Sequence, residues 1–201
     1  MQQPSDIVTI CAVDIETLGT ALHSPIIQIG AAFASWDRAK ESLTVDAPAP
    51  VYWQFDSDNS GLLRNQEGLK NIVGISGSTM AFHFGNTTYR TFADTVKVAG
   101  VEYPVITYGS AQHAMDGLSR RIKETDAYVM AQNNEFDLAM LKGNSDLVFY
   151  NHQRTLDIRT FQCLGLLPKK LTAKTHNALE DAIAELEEVV GLLKSGKITL
   201  C

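Results

Sequence analysis

Three short groups of acidic and imidazole side chains have the types and spacing to do chemistry. The first is Asp14 and Glu16, two residues apart at the end of the apolar run Ile7-Val8-Thr9-Ile10-Cys11-Ala12-Val13. On an extended strand, side chains at i and i+2 leave on one face, so both carboxylates enter the same space. Like charges held that close repel, and one acid gains a proton unless a cation lies between them. The second group is Asn133-Asn134-Glu135-Phe136-Asp137, directly after the buried-type run Tyr128 to Ala131. Here Asn133 is expected to cap a helix and Asp137 to fall in its first turn, where the helix dipole favours an anion. The third is His176-Asn177-Ala178-Leu179-Glu180-Asp181, at the start of the last helical pattern. Taken singly, each has a plain structural reading: a solvated strand end, a helix cap, a loop histidine and a surface carboxylate. Taken together, carboxylates plus an imidazole that exchanges protons near neutrality suit metal-assisted hydrolysis of a phosphodiester.

The elements that must position these residues are legible in parts. The run Ile7 to Val13 is β-branched and continuous, the pattern of a strand buried on both faces. Ile26 to Phe33 and Val51 to Phe55 follow as two more strands, so the chain is expected to open with an antiparallel meander. Between 57 and 109 the pattern is weak. Gly61 to Ile75 has partial helical spacing, Thr87 to Val98 alternates faintly, and Val101 to Tyr108 suits a short strand. This stretch is read as a variable insertion in a single domain spanning 1–201. Ser110 then caps a helix with Ala114, Leu118 and Ile122 on one stripe. Leu156 to Ile158 suits a strand end, and Arg159 to Leu164 a short helix. In the last helix Asn177 and Glu180 have capping-box spacing, and Leu179, Ala182, Ile183, Leu186, Val190 and Leu193 form the apolar face. At about 100° per residue Asp181 falls outside that face, on the solvent side. Strands followed by strand–helix alternation predict an α/β fold with a mixed sheet.

Composition narrows the function classes. The 201 residues are 45% hydrophobic and 20% charged, ordinary for a globular domain and unlike a disordered chain. No apolar run approaches the roughly 18 residues of a membrane span. The polar segment Met1 to Asp6 lacks a secretory pattern, and three scattered cysteines have no metal-ligand spacing, so a reduced cytoplasmic setting is expected. Net charge is −6, which argues against a broad basic groove for duplex DNA and for a compact, cation-centred site.

The order and spacing of the three groups resemble the DEDDh superfamily of 3′–5′ exonucleases. Val13-Asp14-Ile15-Glu16-Thr17 looks like its first motif, Asn133 to Asp137 like its second and His176 to Asp181 like its third. Ile27-Gln28-Ile29-Gly30-Ala31, Leu156 to Thr160 and Leu18-Gly19 add echoes, nearest to the phage exonuclease A and exonuclease VIII-like subset. Gln132 and Asn134 depart from the residue types usual in the second motif.

The resemblance implies a ribonuclease H-like fold, a mixed five-stranded sheet with helices on both faces. It implies two divalent cations, Mg²⁺ or Mn²⁺, held by Asp14, Glu16, Asp137 and Asp181, with His176 as the general base. Thr17 and Leu18 would contact the terminal nucleotide by backbone amide and apolar wedge, and Asn133 and Phe136 would hold the next unit. The implied substrate is the 3′ end of single-stranded DNA or RNA, the implied products are nucleoside 5′-monophosphates, and a homodimer is compatible. Two alternatives come from other classes. One is a binding module that keeps a nuclease fold without activity. The other is a metal-dependent phosphatase, suggested by the loose Asp-x-Asp-x-Thr likeness of Asp14 to Thr17.

Overall fold

Eleven consecutive residues, Ile7–Thr17, form β1, and every one after Ile7 is buried. Strand β2, Ile26–Asp37, is buried along all its twelve residues and pairs antiparallel with β1. Such length and burial follow from the unbroken apolar runs, which leave no polar face to solvate. The structure, a computed structural model, describes residues 6–22, 24–54, 95–145, 151–168 and 175–200. The short strand β3, Ser42–Thr44, and β4, Val51–Gln54, both pair antiparallel with β2. The strands β5, Thr95–Val98, and β6, Val101–Pro104, form a separate hairpin. Strand β7, Ile106–Thr107, joins the main sheet parallel to β4. Helix α1, Ala111–Thr125, leads to β8, Tyr128–Ala131, and α2, Asp137–Gly143, follows. Strand β9, Thr155–Asp157, helix α3, Ile158–Cys163, and helix α4, Ala178–Lys194, complete the described elements.

Among the described residues the main sheet runs β7-β4-β2-β1-β8-β9, with β3 added on β2. It is therefore seven-stranded where five were expected. The two extra strands, β3 and β7, have three and two residues, too short to leave a periodic signal. The opening meander β1-β2-β4 is present, and β8 and β9 add parallel to β1 and to each other. The stretch treated as an insertion is not all separate, since 106–107 belong to the main sheet. Residues 55–94 lie outside the described residues, and with them the helical spacing at Gly61 to Ile75 and most of the alternation from Thr87.

Helices cover both faces. On one, α1 and α2 bury Ala114, Met115, Leu118, Ile122, Leu138 and Leu141 against the odd-numbered residues Cys11, Val13 and Ile15. On the other, α4 buries Ala182, Leu186, Val189 and Val190 against the even-numbered Val8, Ile10 and Ala12. Each fully buried leucine of this kind contributes about 1.5–3 kcal/mol. The continuation of the even-numbered row on β1 is Asp14 and Glu16, so the fold aims both acids at the layer containing α4.

Candidate functional site

The approach of α4 to that row begins at a missing side chain. Gly30 of β2 is the cross-strand partner of Asp14 and Gln28 that of Glu16. A Cβ at Gly30 would lie 2.2 Å from both the Ala178 carbonyl carbon and the Leu179 nitrogen. Only glycine lets the first turn of α4 rest directly on the strand. The Ala178 N–H donates to Gln28 Oε1 at 3.0 Å, across 150 residues of sequence. Asn177 completes the junction. Its Oδ1 accepts from the Leu179 and Glu180 amides at 3.2 Å each, the expected cap, and its Nδ2 donates to the Tyr52 hydroxyl at 3.2 Å.

With the helix seated there, Asp181 is 4% exposed. This corrects the solvent-side placement expected from periodicity. The close approach permitted by Gly30 buries a wider arc of α4, one that takes in Asp181 and, a turn later, Glu185 at 1%. Asp181 also gathers the preceding loop. Its Oδ1 accepts from the Thr175 N–H at 2.9 Å and the Thr175 hydroxyl at 3.1 Å, and its Oδ2 from the His176 N–H at 3.1 Å. Between these bonds His176 sits at φ +53°, a left-handed conformation uncommon outside glycine. Its ring is about one-third exposed, with Nδ1 3.6 Å from Glu16 Oε1.

Ligand-type atoms of Glu16, His176 and Asp181 thus lie within 4.8 Å of one another. Asp14, 2% exposed, points to the same layer from two residues back on β1. Three buried carboxylates here concentrate negative charge away from water, which is costly without a compensating cation. The donor set of carboxylate oxygens and one imidazole nitrogen fits a divalent metal ion. A carboxylate has about four acceptor positions, so the three donors on Asp181 leave one for a ligand bond from Oδ2.

The second motif arrives from the other layer. Strands β8 and β1 are parallel with Ala12 opposite Met130, so the turn after β8 leaves at the same sheet end as Asp14 and Glu16. Asp137 is 6% exposed there but stands outside the three-residue group. Its Oδ2 accepts from the Asn133 N–H at 3.3 Å. Asn133 is not the helix cap: α2 starts at Asp137 after Phe136, without a side-chain cap, and the Asn133 carbonyl accepts from the Phe136 and Asp137 amides. Asn134 explains one departure from the usual motif. Its Oδ1 accepts from the Ala131 N–H at 2.9 Å and its Nδ2 donates to the Leu156 carbonyl at 2.7 Å, clipping β8 to β9. Phe136 is half-buried against the core of α1 and α2.

Past Glu16 the chain turns through a braced loop. Thr17 is 4% exposed and its hydroxyl donates to the Gly19 carbonyl at 2.7 Å. The Leu18 N–H donates to the Pro25 carbonyl at 2.9 Å, so this amide is committed within the protein, and the Leu18 side chain is half-buried. Asn144 Nδ2 reaches the Leu22 and Ser24 carbonyls at 3.3 Å, tying the loop to the end of α2.

Sequence reasoning missed Thr175 as a partner of Asp181, and it assigned no role to Gln28 or Gly30. A glutamine and a glycine inside an otherwise apolar strand were the available signal for a close backbone approach. No family model, curated protein or solved structure matches the chain. No helix among the described residues is long and apolar enough to cross a membrane.

Proposed function

We propose that the chain is a metal-dependent 3′–5′ exonuclease that releases nucleoside 5′-monophosphates from DNA or RNA. The observation that supports it is the meeting of Glu16, His176 and Asp181, from segments 160 and more residues apart, beside Asp14 in a buried acidic recess. The sheet order β4-β2-β1-β8-β9, antiparallel then parallel, is also what a ribonuclease H-like core would have. In this reading Asp14, Glu16 and Asp181 hold two divalent cations, Mg²⁺ or Mn²⁺, with Asp137 contributing from the α2 side. Bound there, the cations supply charge stabilisation to the phosphoryl oxygens that become more negative as the bond breaks.

The protein's own groups do the rest. His176, held by its N–H on Asp181, accepts the proton of the water that attacks phosphorus. The bond from phosphorus to the 3′ oxygen of the neighbouring nucleotide breaks, and that oxygen takes up a proton from solvent water to become the new 3′-hydroxyl end. Leu18 and Leu22, the latter 55% exposed, lie on the loop that follows the acids of β1 and would offer apolar side chains on which a terminal base can rest. Asn144 ties that loop to the end of α2 through the Leu22 and Ser24 carbonyls.

The test is a 5′-labelled oligonucleotide with a free 3′-hydroxyl, incubated with the purified chain and Mg²⁺ or Mn²⁺. A ladder shortening one nucleotide at a time is expected, abolished by chelation, and reduced at least ~100-fold in Asp14→Ala and Asp181→Ala. Internal fragments, or intact substrate with both metals, would remove the exonuclease reading. A protonated imidazole cannot accept a proton, so the rate should fall on acidification in the parent chain, and this limb should vanish in His176→Asn.

A further inference from the structure

We infer that His176 is also a ligand: with Glu16 and Asp181 it forms a three-donor site for an imidazole-seeking transition cation such as Zn²⁺, distinct in preference from a carboxylate site for Mg²⁺. The inference depends on the exonuclease reading only for its consequence, that the cation inhibits.

The geometry comes first. One imidazole nitrogen and two carboxylate oxygens already lie within 4.8 Å of one another. One edge of the group, His176 Nδ1 to Glu16 Oε1, is 3.6 Å. Ligand bonds of about 2.0–2.1 Å in a tetrahedron around Zn²⁺ give edges of roughly 3.4 Å, so small side-chain adjustments close the site. A ligand imidazole shares its ion with neighbouring carboxylates, as these three donors would.

The surroundings supply the orientation that such ligands need. Thr175 donates twice to Asp181 Oδ1 and the His176 N–H once to Oδ2, which fixes the carboxylate, and the Thr175 hydroxyl also accepts from the Asn177 N–H at 3.3 Å. That joins the carboxylate to the cap of α4, which Gln28 fixes to the sheet. Outer contacts of this kind hold first ligands in place and typically account for 10–100-fold in metal affinity.

Donor chemistry sets the preference. Imidazole binds Zn²⁺ and its neighbours in the first transition row well, whereas Mg²⁺ prefers oxygen and retains its waters. An imidazole whose lone pair is donated to an ion cannot accept a proton. The same cation that binds more tightly therefore silences the base, and cleavage supported by Mg²⁺ stops.

Calorimetric titration of the chelator-treated full chain with Zn²⁺ and, separately, with Mg²⁺ tests the assignment. The variants are His176→Asn, which removes the imidazole yet tolerates the left-handed backbone, and His113→Ala, an exposed histidine on α1. Expected is a Zn²⁺ affinity at least ~10-fold weaker in His176→Asn, unchanged in His113→Ala, with Mg²⁺ affinity alike in all three proteins. Equal Zn²⁺ affinity in His176→Asn and the parent would overturn the assignment, as would a parallel loss of Mg²⁺ affinity. Inhibition of Mg²⁺-supported cleavage by equimolar Zn²⁺ is the second readout, and continued cleavage would remove the inhibitory consequence. The two readings separate cleanly. Zinc held through His176 in a chain that cuts no oligonucleotide sinks the exonuclease and keeps the ion site, whereas cleavage with His176-indifferent zinc does the reverse.

Discussion

The two ends of the β1–β2 pair both bury carboxylates, but they satisfy them differently. At the far end Asp37 is 4% exposed and finds all its described partners within its own turn. Its Oδ1 accepts from the Ala39 and Lys40 amides at 3.0 Å each, and Lys40 Nζ donates to Oδ2 at 2.7 Å. The Lys40 hydrogen bond and charge hold the Asp37 carboxyl below the ordinary carboxylate range. At the near end Glu16 and Asp181 come from opposite ends of the chain and meet a histidine. An acid supplied by its neighbours in sequence fastens a turn. Asp181 also holds its own preceding loop, but the group of Glu16, His176 and Asp181 includes no lysine or arginine like Lys40 among its described residues, which leaves room for a cation there.

The largest effect that could break this contrast is at Gly30. Gly30→Ala places a methyl group on the Ala178 and Leu179 backbone, which has no flexible end to move aside. Overpacking of this kind costs about 1–3 kcal/mol or more, and here it also lifts Asp181 away from Glu16. A lowered melting temperature together with lost turnover is expected. Gly191→Ala, in the same helix with open space around it, should instead stabilise by up to about 1 kcal/mol. If Gly30→Ala melts and cuts like the parent, the docking of α4 does not depend on that contact.

Next in size is stabilisation by cation. Mn²⁺ at a hundred times its dissociation constant should stabilise the folded chain by about 2.7 kcal/mol, read as a rise in melting temperature. Glu16→Gln should abolish most of that rise while leaving the metal-free protein as stable as the parent or more so, because one buried negative charge has gone. A full Mn²⁺ response in Glu16→Gln would mean that the ion binds elsewhere.

The smallest effect belongs to the far end. Asp37→Asn should lower stability slightly and leave turnover and the Mn²⁺ response intact. The pH dependence has a definite sign. Since the folded-state carboxyl is the stronger acid, its contribution is present above the pKa of the unfolded chain and fades as pH falls through the folded value. A melting series on parent and Asp37→Asn should therefore converge in acid. Divergence in acid would refute the turn-fastening role.

How much of this was legible in the sequence depended on the range of the force involved. The buried strands β1 and β2, the capped helix α4 and the pairing of Asp14 with Glu16 are local patterns of apolar period and cap chemistry, and they read directly. The burial of Asp181 did not, because helical periodicity assumes a helix resting on side chains, and α4 rests on bare backbone at Gly30. Nor could the Leu18 amide be known to be engaged, since Pro25 closes that bond from the far side of a turn. Asn133 looked like a cap because asparagine before a helix usually is one, but here its carbonyl, not its side chain, shapes the turn.

The bond between Gln28 and Ala178 carries a consequence for biosynthesis. A ribosome delivers β1 and β2 early, and the Ala178 amide that docks on Gln28 follows 150 residues after it. A half-made polypeptide thus carries Asp14 and Glu16 without their remote partners, and the acidic group is complete only when the closing helix lands.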